Sequence, residues 1–449
     1  MERQDANLWL QDHPEIESAL VTVCDLNGML RGTRVPVAQI GKLCDAGLRI
    51  PLAALGVDVW GEEIAQQDPL FPSREAIGRG GMIERGLLPM TWADPPAILA
   101  PMTLSCANGD PFPADPRRAL EEITRRFAAL GLTPVVATEL EFYLVNPEPD
   151  LPEPPNSPVS GKQLHSDDVY SVDELLHFDN FLSDVFDACR EQGIPADAAI
   201  SENGAGQFEI NMMHVPDPLR AADDAILFKQ TVRGVARKHG LAATFMAKPY
   251  GALSGSGFHV HFSLIDKDGR NVFDDGGPQG TDLLWHAVAG LLHTMAECTL
   301  TFAPHENSYR RLAPGSHAPS AIAWGYENRT VAVRIPGGSH KARRIEHRVA
   351  GADANPYLVL ASILGGALMG IEGKWDPAAP ITGNAYDQDL PHLPLDWASA
   401  IEAFKVGAHV PAIYNPQLQR MLTACKTQEL RVFNRRVTDF EYHTYLETV

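Results

Sequence analysis

Three short apolar segments of this chain carry ionisable residues two positions apart. Glu139 and Glu141 lie in Ala137-Thr138-Glu139-Leu140-Glu141-Phe142-Tyr143, His259 and His261 in Gly257-Phe258-His259-Val260-His261-Phe262, and Arg344, Glu346 and Arg348 alternate in a third run. Residues two apart in a β-strand share a face. Each segment therefore predicts a strand with one apolar face and one charged face. Glu209, within Gln207-Phe208-Glu209-Ile210, adds a further strand, and Glu202 precedes it across the turn Gly204-Ala205-Gly206.

Carboxylates that face one another repel unless they are protonated or neutralised by cations. An edge strand with one solvated face would account for any single pair. Three such strands in one chain favour cations. The set Glu139, Glu141, Glu202, Glu209, Glu346 and His259 is rich in oxygen with a single nitrogen. It suits two or more hard divalent ions, Mg²⁺ or Mn²⁺ rather than zinc.

Charge is distributed unevenly. The formal net charge is −20, which excludes a nucleic-acid partner, because phosphate binding needs a basic face. Yet positions 310–348 hold eight Lys or Arg (310, 311, 329, 334, 341, 343, 344 and 348) against two acids, Glu327 and Glu346. Surface salt bridging is one explanation; a cleft for a small anionic ligand is the other. A metal cluster beside arginines is what phosphoryl transfer from a nucleotide requires. The chain has no GxxxxGK[ST] loop, and Gly251 to Gly257 lacks the following lysine. The nucleotide must be held by some other fold.

At 449 residues the chain has room for two or more domains. Early apolar runs predict a β-hairpin, Ala19 to Asp25 and Leu30 to Val35, around Asn27-Gly28. Asp115-Pro116 opens a helix running to Gly131, with Asp as N-cap and Pro at the first helical position. Beyond the proline-rich loop 146–161, strand-like runs alternate with long helices at 181–192, 221–239, 282–300 and 354–370. This predicts an α+β chain divided into residues 1–108, small and β-rich, and residues 109–449, large and catalytic. The apolar stretch Tyr357 to Ile371 is shorter than the ~20 residues of a membrane span, so a buried core helix is expected and no membrane partner. Six scattered cysteines without a CxxC pair, and a polar Met1 to His13 without a signal-peptide pattern, predict a cytoplasmic location.

Five blocks of the sequence resemble the glutamine synthetase superfamily, in that family's order. They are Glu139-Leu-Glu141; Glu202 through Glu209; Gly255-Ser-Gly-Phe-His259-Val-His261-Phe-Ser263; Asn307 through Arg311 to Gly315; and Asn328-Arg329 through Arg334, Lys341 and Arg344 to Arg348, with Asp353-Ala-Asn-Pro356 behind. The resemblance implies a β-grasp N-terminal domain and a catalytic domain with a curved antiparallel sheet and flanking helices. It also implies self-association into hexameric rings, two of them stacked as a dodecamer, with active sites between neighbouring subunits. It assigns Glu141, Glu202 and Glu209 to a first metal and Glu139, His259 and Glu346 to a second, with two or three ions per site. Arg311 and Arg348 match the arginines that hold glutamate carboxylates and the transferring phosphate. Arg329, Arg334 and Arg344 match the phosphate side, and His261, Ser263 and Lys341 match nucleotide contacts. Gly255 falls where the loop touches the substrate amino acid. The implied reaction uses ATP to phosphorylate the γ-carboxylate of glutamate, and a neutral nitrogen then attacks the acyl phosphate.

The resemblance is looser at the nitrogen. Ammonia-using enzymes carry a glutamate in the loop that here holds His317, and Ser254 replaces an asparagine. Asp58, in Gly56-Val-Asp-Val-Trp60-Gly, is the nearest match to the ammonium-binding aspartate, and Tyr170 matches an aromatic of that pocket. Loss of the glutamate leaves room for a longer amine. The departures resemble the branch that makes γ-glutamyl amides of polyamines, putrescine and other primary amines in amine catabolism. The alternatives are an ammonia-using enzyme with His317 as base, and a non-catalytic scaffold, which would show eroded metal ligands.

Overall fold

In the computed structural model of the chain, the described residues are 3–64, 76–165, 169–313, 316 and 318–449. The first part holds helices α1 (Arg3–Asp12) and α2 (Ile40–Ala46) and strands β1 (Ser18–Cys24), β2 (Leu30–Pro36), β3 (Leu48–Pro51), β4 (Ile77–Met82), β5 (Leu88–Met90) and β6 (Ala97–Ser105). These strands make one sheet in the order β2-β1-β6-β4-β3, with β5 also on β6. The expected hairpin is present. Its partner on the other side, β6, runs parallel to β1, with Ala19 opposite Ile98. All nine residues of β6 but the last are buried, because it is flanked by strands on both sides and covered on both faces.

Helix α3 (Pro116–Ala129) starts where the sequence predicts, and the Asp115 carboxylate accepts from the Arg117 amide at 3.0 Å. Then follow β7 (Thr133–Val145), α4 (Val172–His177), α5 (Asp179–Glu191), β8 (Ala196–Ser201), β9 (Gln207–Met212), α6 (Pro218–Lys238), β10 (Ala242–Thr244) and β11 (Phe258–Ile265). The chain continues through α7 (Asp282–Phe302), α8 (Glu306–Arg311), β12 (Trp324–Tyr326), β13 (Val333–Ile335), β14 (Ile345–His347) and α9 (Pro356–Gly373). It ends in α10 (Trp397–Val406), α11 (Val410–Ile413), α12 (Pro416–Asn434) and α13 (Asp439–Tyr445).

The second sheet has the order β12-β13-β14-β11-β7-β9-β8, with β10 also on β7. It departs from the all-antiparallel expectation at one edge, where β12 and β13 pair in parallel. Residues 327–332 suffice for that return because each strand is only three residues long, well within the ~20 Å reach of six extended residues. β14 is also shorter than the predicted run: it covers Ile345–His347, so Arg344 and Arg348 flank it.

The apolar stretch is α9, long and apolar enough to cross a membrane by composition but 83% buried within the fold. It packs against α7 through glycines: a Cβ on Gly290 would meet the Gly366 carbonyl at 2.1 Å, and one on Gly370 the His286 carbonyl at 2.0 Å. Asn355 caps α9 through the Tyr357 amide at 3.0 Å and donates to the Asp25 carbonyl at 2.9 Å, so the helix start is fixed to the first sheet.

The two ends of the chain meet in a buried polar network. Lys426 and Glu429 on α12 pair at 2.8 Å with both side chains fully buried. Lys426 also donates to Asn27, and Glu429 accepts from Asn27 at 3.1 Å and from the Val59 amide at 2.9 Å.

Candidate active site

Strand register gathers the charged residues. On four adjacent strands, Glu139 of β7 faces His259 of β11, Glu141 of β7 faces Glu209 of β9, and His261 of β11 faces Glu346 of β14. Directly opposed residues place their Cβ atoms about 4.5–5.5 Å apart, so the alternation seen in the sequence becomes one cluster.

Glu139 is its centre. Its carboxylate pairs with His259 Nδ1 at 3.2 Å and His261 Nε2 at 2.9 Å. Ligand atoms of Glu139, His261 and Glu346 lie within 4.8 Å of one another, as do those of Glu139, Glu209 and His259. This differs from the expected division, in which Glu139, His259 and Glu346 form one set: His261 reaches the carboxylates as closely as His259 does. Arg344 Nε donates to His261 Nδ1 at 3.2 Å, so His261 carries its proton on Nε2, towards Glu139. That makes His261 a donor that orients Glu139.

Arginines close one side. Arg334 donates to Glu346 at 2.8 Å, and Arg348 donates to the other oxygen of the same carboxylate. Arg311 is buried and donates to the Val349 carbonyl at 2.7 Å. Gly255 and Gly257 make room for it. A Cβ on Gly257 would stand 2.9 Å from both Arg311 Nη2 and His259 Nε2 and 3.3 Å from Glu141 Oε1. The Gly257 amide also donates to Glu141 at 2.8 Å.

Glu202 sits on the turn between β8 and β9. Gln207 closes that turn, accepting from the Gly204 amide at 3.0 Å and donating to the Gly255 carbonyl at 3.1 Å. Glu174 supports it from α4, accepting from the Ser201 hydroxyl at 2.7 Å and the Gly206 amide at 2.8 Å. Gly257, Gln207 and Glu174 are site-building residues that the sequence alone did not single out. For Gly257 the flanking Gly255-Ser256-Gly257 was a usable signal; for Glu174 there was none.

The electrostatics match a cation site. Burial, reinforced by Glu141, pushes the Glu202 carboxyl up to about 7. Burial with Glu139 and Glu141 pushes Glu209 up to about 9. Burial works against charge on Glu139 too, but hydrogen bonds from His259 and His261 outweigh it and hold that carboxyl well below its usual range. Acids crowded this far from water call for positive charge, and an oxygen-rich donor set fits a hard divalent ion. The sign of the pH effect follows. Between about pH 5 and 9 the folded, metal-free protein keeps protons on Glu202 and Glu209 that the unfolded chain, with carboxyls near 4.5, has released. Their stabilisation is complete below about pH 4.5 and lost as pH rises through about 7 and 9. In EDTA the Tm should therefore fall from pH 5 to 9, and excess Mg²⁺ should flatten the fall; a flat Tm in EDTA would contradict it.

The remaining expected residues are placed as follows. Ser263 lies two positions beyond His261 on β11, half-buried opposite Val135. Arg329 is exposed, acts electrostatically on Glu202, and lines a cavity of about 450 Å³ with Asn328 and residues 380–383. Lys341 is exposed on a single 3-10 turn, and among the described residues no contact of its side chain joins it to the cluster. The Ser254 carbonyl accepts from Tyr143 at 2.8 Å and its hydroxyl from Asn203 at 3.0 Å. Tyr170 is exposed with φ of 62° beside Ser201. Asp58 is not brought to the cluster: it is buried and binds the amides of Trp60 and Glu62 and Gln428 of α12. His317 lies outside the described residues.

Comparison with known proteins gives concordant results. The family described as glutamine synthetase, catalytic domain, matches residues 113–445. A gamma-glutamylputrescine synthetase of Escherichia coli (strain K12) is 37% identical, covering 99% of this chain and 94% of its own length. A glutamate–isopropylamine ligase of Pseudomonas sp. is 32% identical, with coverages of 97% and 96%. The solved GmaS/ADP complex superposes with a TM-score of 0.85 at 28% identity over 98% of this chain and 99% of that one.

Proposed function

The chain belongs to the glutamine synthetase family, and we propose that within it this enzyme is an ATP-dependent ligase joining the γ-carboxyl of glutamate to an organic amine. The observation that carries the chemistry is the single sheet face on which Glu139, Glu141, Glu209, His259 and Glu346 meet Arg334 and Arg348. The amine rests on the similarity to ligases of putrescine and isopropylamine and on His317 and Ser254 where ammonia users carry other residues.

A γ-carboxylate oxygen of glutamate attacks the terminal phosphorus of ATP, ADP leaves, and the amine nitrogen then attacks the acyl carbon, expelling phosphate and losing a proton. Divalent cations, when bound, neutralise the nucleotide phosphates and the transferring group. Glu141, Glu202 and Glu209 would hold one such ion on the glutamate side, and Glu139, His259 and Glu346 would hold another on the phosphate side, with His261 orienting Glu139. Arg311 and Arg348 bind the glutamate carboxylate and the group in transfer, Gly255 borders the amino acid, and Arg329, Arg334, Arg344, Ser263 and Lys341 serve the nucleotide. Fixing donor and acceptor in line and excluding water are the protein's main contributions. His317 and Asp58 fall to the amine side. Among the described residues the buried Asp58 is bound by its own chain's turn and α12, so a part at the amine rests on the resemblance alone, through the cleft of a neighbouring copy within a hexameric ring.

The test is ADP release with glutamate and Mg²⁺ against a panel of putrescine, isopropylamine, ethanolamine and ammonium. At least one organic amine should exceed ammonium in kcat/KM by about 10²-fold, the scale on which a pocket built for one group rejects another. Equal or greater stimulation by ammonium would reverse the assignment.

A further inference from the structure

A second cavity lies behind the catalytic sheet, between the β1–β2 hairpin and α6. It measures about 380 Å³ and is lined by Thr22, Thr33, Arg34, Lys229 and Arg233, together with leucines and Ile226. Among the described residues no carboxylate lines it, in a chain whose net charge is −20.

Its cations make no ion pair among the described residues. Arg233 makes no ion pair or hydrogen bond among the described residues; its guanidinium lies over the Phe245 ring, 5.1 Å from the centroid. Lys229 is 6% exposed and donates to the Ala354 carbonyl at 2.8 Å, a neutral partner. Asp353 contributes a field but no ion pair. Burial, and then Arg233, press the Lys229 ammonium down to about 7. The Thr22 hydroxyl on the cavity wall is buried with no hydrogen-bond partner among the described residues. A buried Lys229 without an ion pair, a half-buried Arg233 without one and a buried hydroxyl without a partner among the described residues are each costly. One bound anion would relieve all three. The apolar part of the lining adds room for a short carbon body, and the volume is that of a small-molecule site.

We propose that this cavity binds a small organic anion, a carboxylate or phosphate ester, with Arg233 as its main partner and the apolar wall against its carbon body. A planar guanidinium suits either head group, because both accept two parallel hydrogen bonds. The site lies apart from the glutamate and nucleotide cleft: α6 packs on the back of β7, whose front carries Glu139 and Glu141.

Calorimetric titration of the full-length protein, with MgADP and glutamate saturating the active site, would use succinate, glycerol 3-phosphate and inorganic phosphate as probes. The expected result is one site per chain for succinate or glycerol 3-phosphate, the better of the two identifying the head group. Arg233→Gln should weaken that binding about tenfold or more, a change of ~1.4 kcal/mol, while Arg348→Gln leaves it unchanged. Thr33→Glu, on the exposed rim, should weaken it similarly and decides the matter if Arg233→Gln does not fold. Equal binding of inorganic phosphate, or binding that survives Arg233→Gln and Thr33→Glu, would overturn the proposal. So would absence of binding together with a changed oligomeric mass in Arg233→Gln, which would assign the cavity to a neighbouring copy.

Discussion

Glu139→Gln is expected to lower kcat by about 10³-fold or more, the scale seen when charge stabilisation is removed from a transition state. The two side chains have nearly the same shape, so packing on the half-buried strand is preserved. What is lost is the charge common to both metal-competent groups and the acceptor for both histidines. An amide can still accept one hydrogen bond, but it is a poor ligand for a hard cation. The check is ADP release with saturating glutamate and amine. The Mg²⁺-induced rise in Tm should shrink in the same variant, which separates lost metal binding from a folding defect. Activity within about tenfold of the parent would remove Glu139 from the centre of the site.

The second large effect is expected from Gly257→Ala, a single added methyl group. That methyl would stand 2.9 Å from Arg311 Nη2 and from His259 Nε2. Real Cβ atoms do not approach so closely, so the arginine and the histidine must both move. Displacements near 1 Å at reacting groups cost about 10²-fold in rate, and here the substrate side and the metal side are disturbed together. Its backbone is ordinary for a strand entrance, so Tm should change by only a few degrees. Gly81→Ala on β4, where an added Cβ meets nothing within 4 Å, is the matched control and should keep its activity. Parental kcat/KM in Gly257→Ala would mean that Arg311 and His259 do not converge in the working enzyme.

Much of this site was legible in the sequence because strand periodicity is a local rule. Glu139 with Glu141, and His259 with His261, needed only the knowledge that alternate residues share a face. The helix start predicted at Asp115-Pro116 follows from equally local capping chemistry, and Asn355-Pro356 opens α9, expected from 354, in the same way. What escaped depends on contacts between distant residues. His261 was expected at the nucleotide, and only the register that sets it against Glu346 shows that it also points at the carboxylates. Glu174 reaches Ser201 and Gly206 from another helix, and no spacing rule links them. The parallel β12–β13 edge was hidden because strands of three residues carry too little pattern to be oriented. Asp58 was sought at the amine pocket, whereas in its own chain it stabilises a turn against α12.

The network of Asn27, Val59, Lys426 and Glu429 has a consequence for how the protein is made. The early hairpin turn and the segment around Val59 leave the ribosome roughly 370 to 400 residues before α12 does, by the separations of their contacts. Until then a half-buried amide and a buried asparagine wait without their final partners. The first sheet can fold early, as N-terminal units do during synthesis, but its inner turn is completed by a helix 402 residues further along. A nascent chain arrested before Lys426 would thus display an unfinished first sheet. Protease sensitivity around residues 57–63 would report when α12 had emerged and docked.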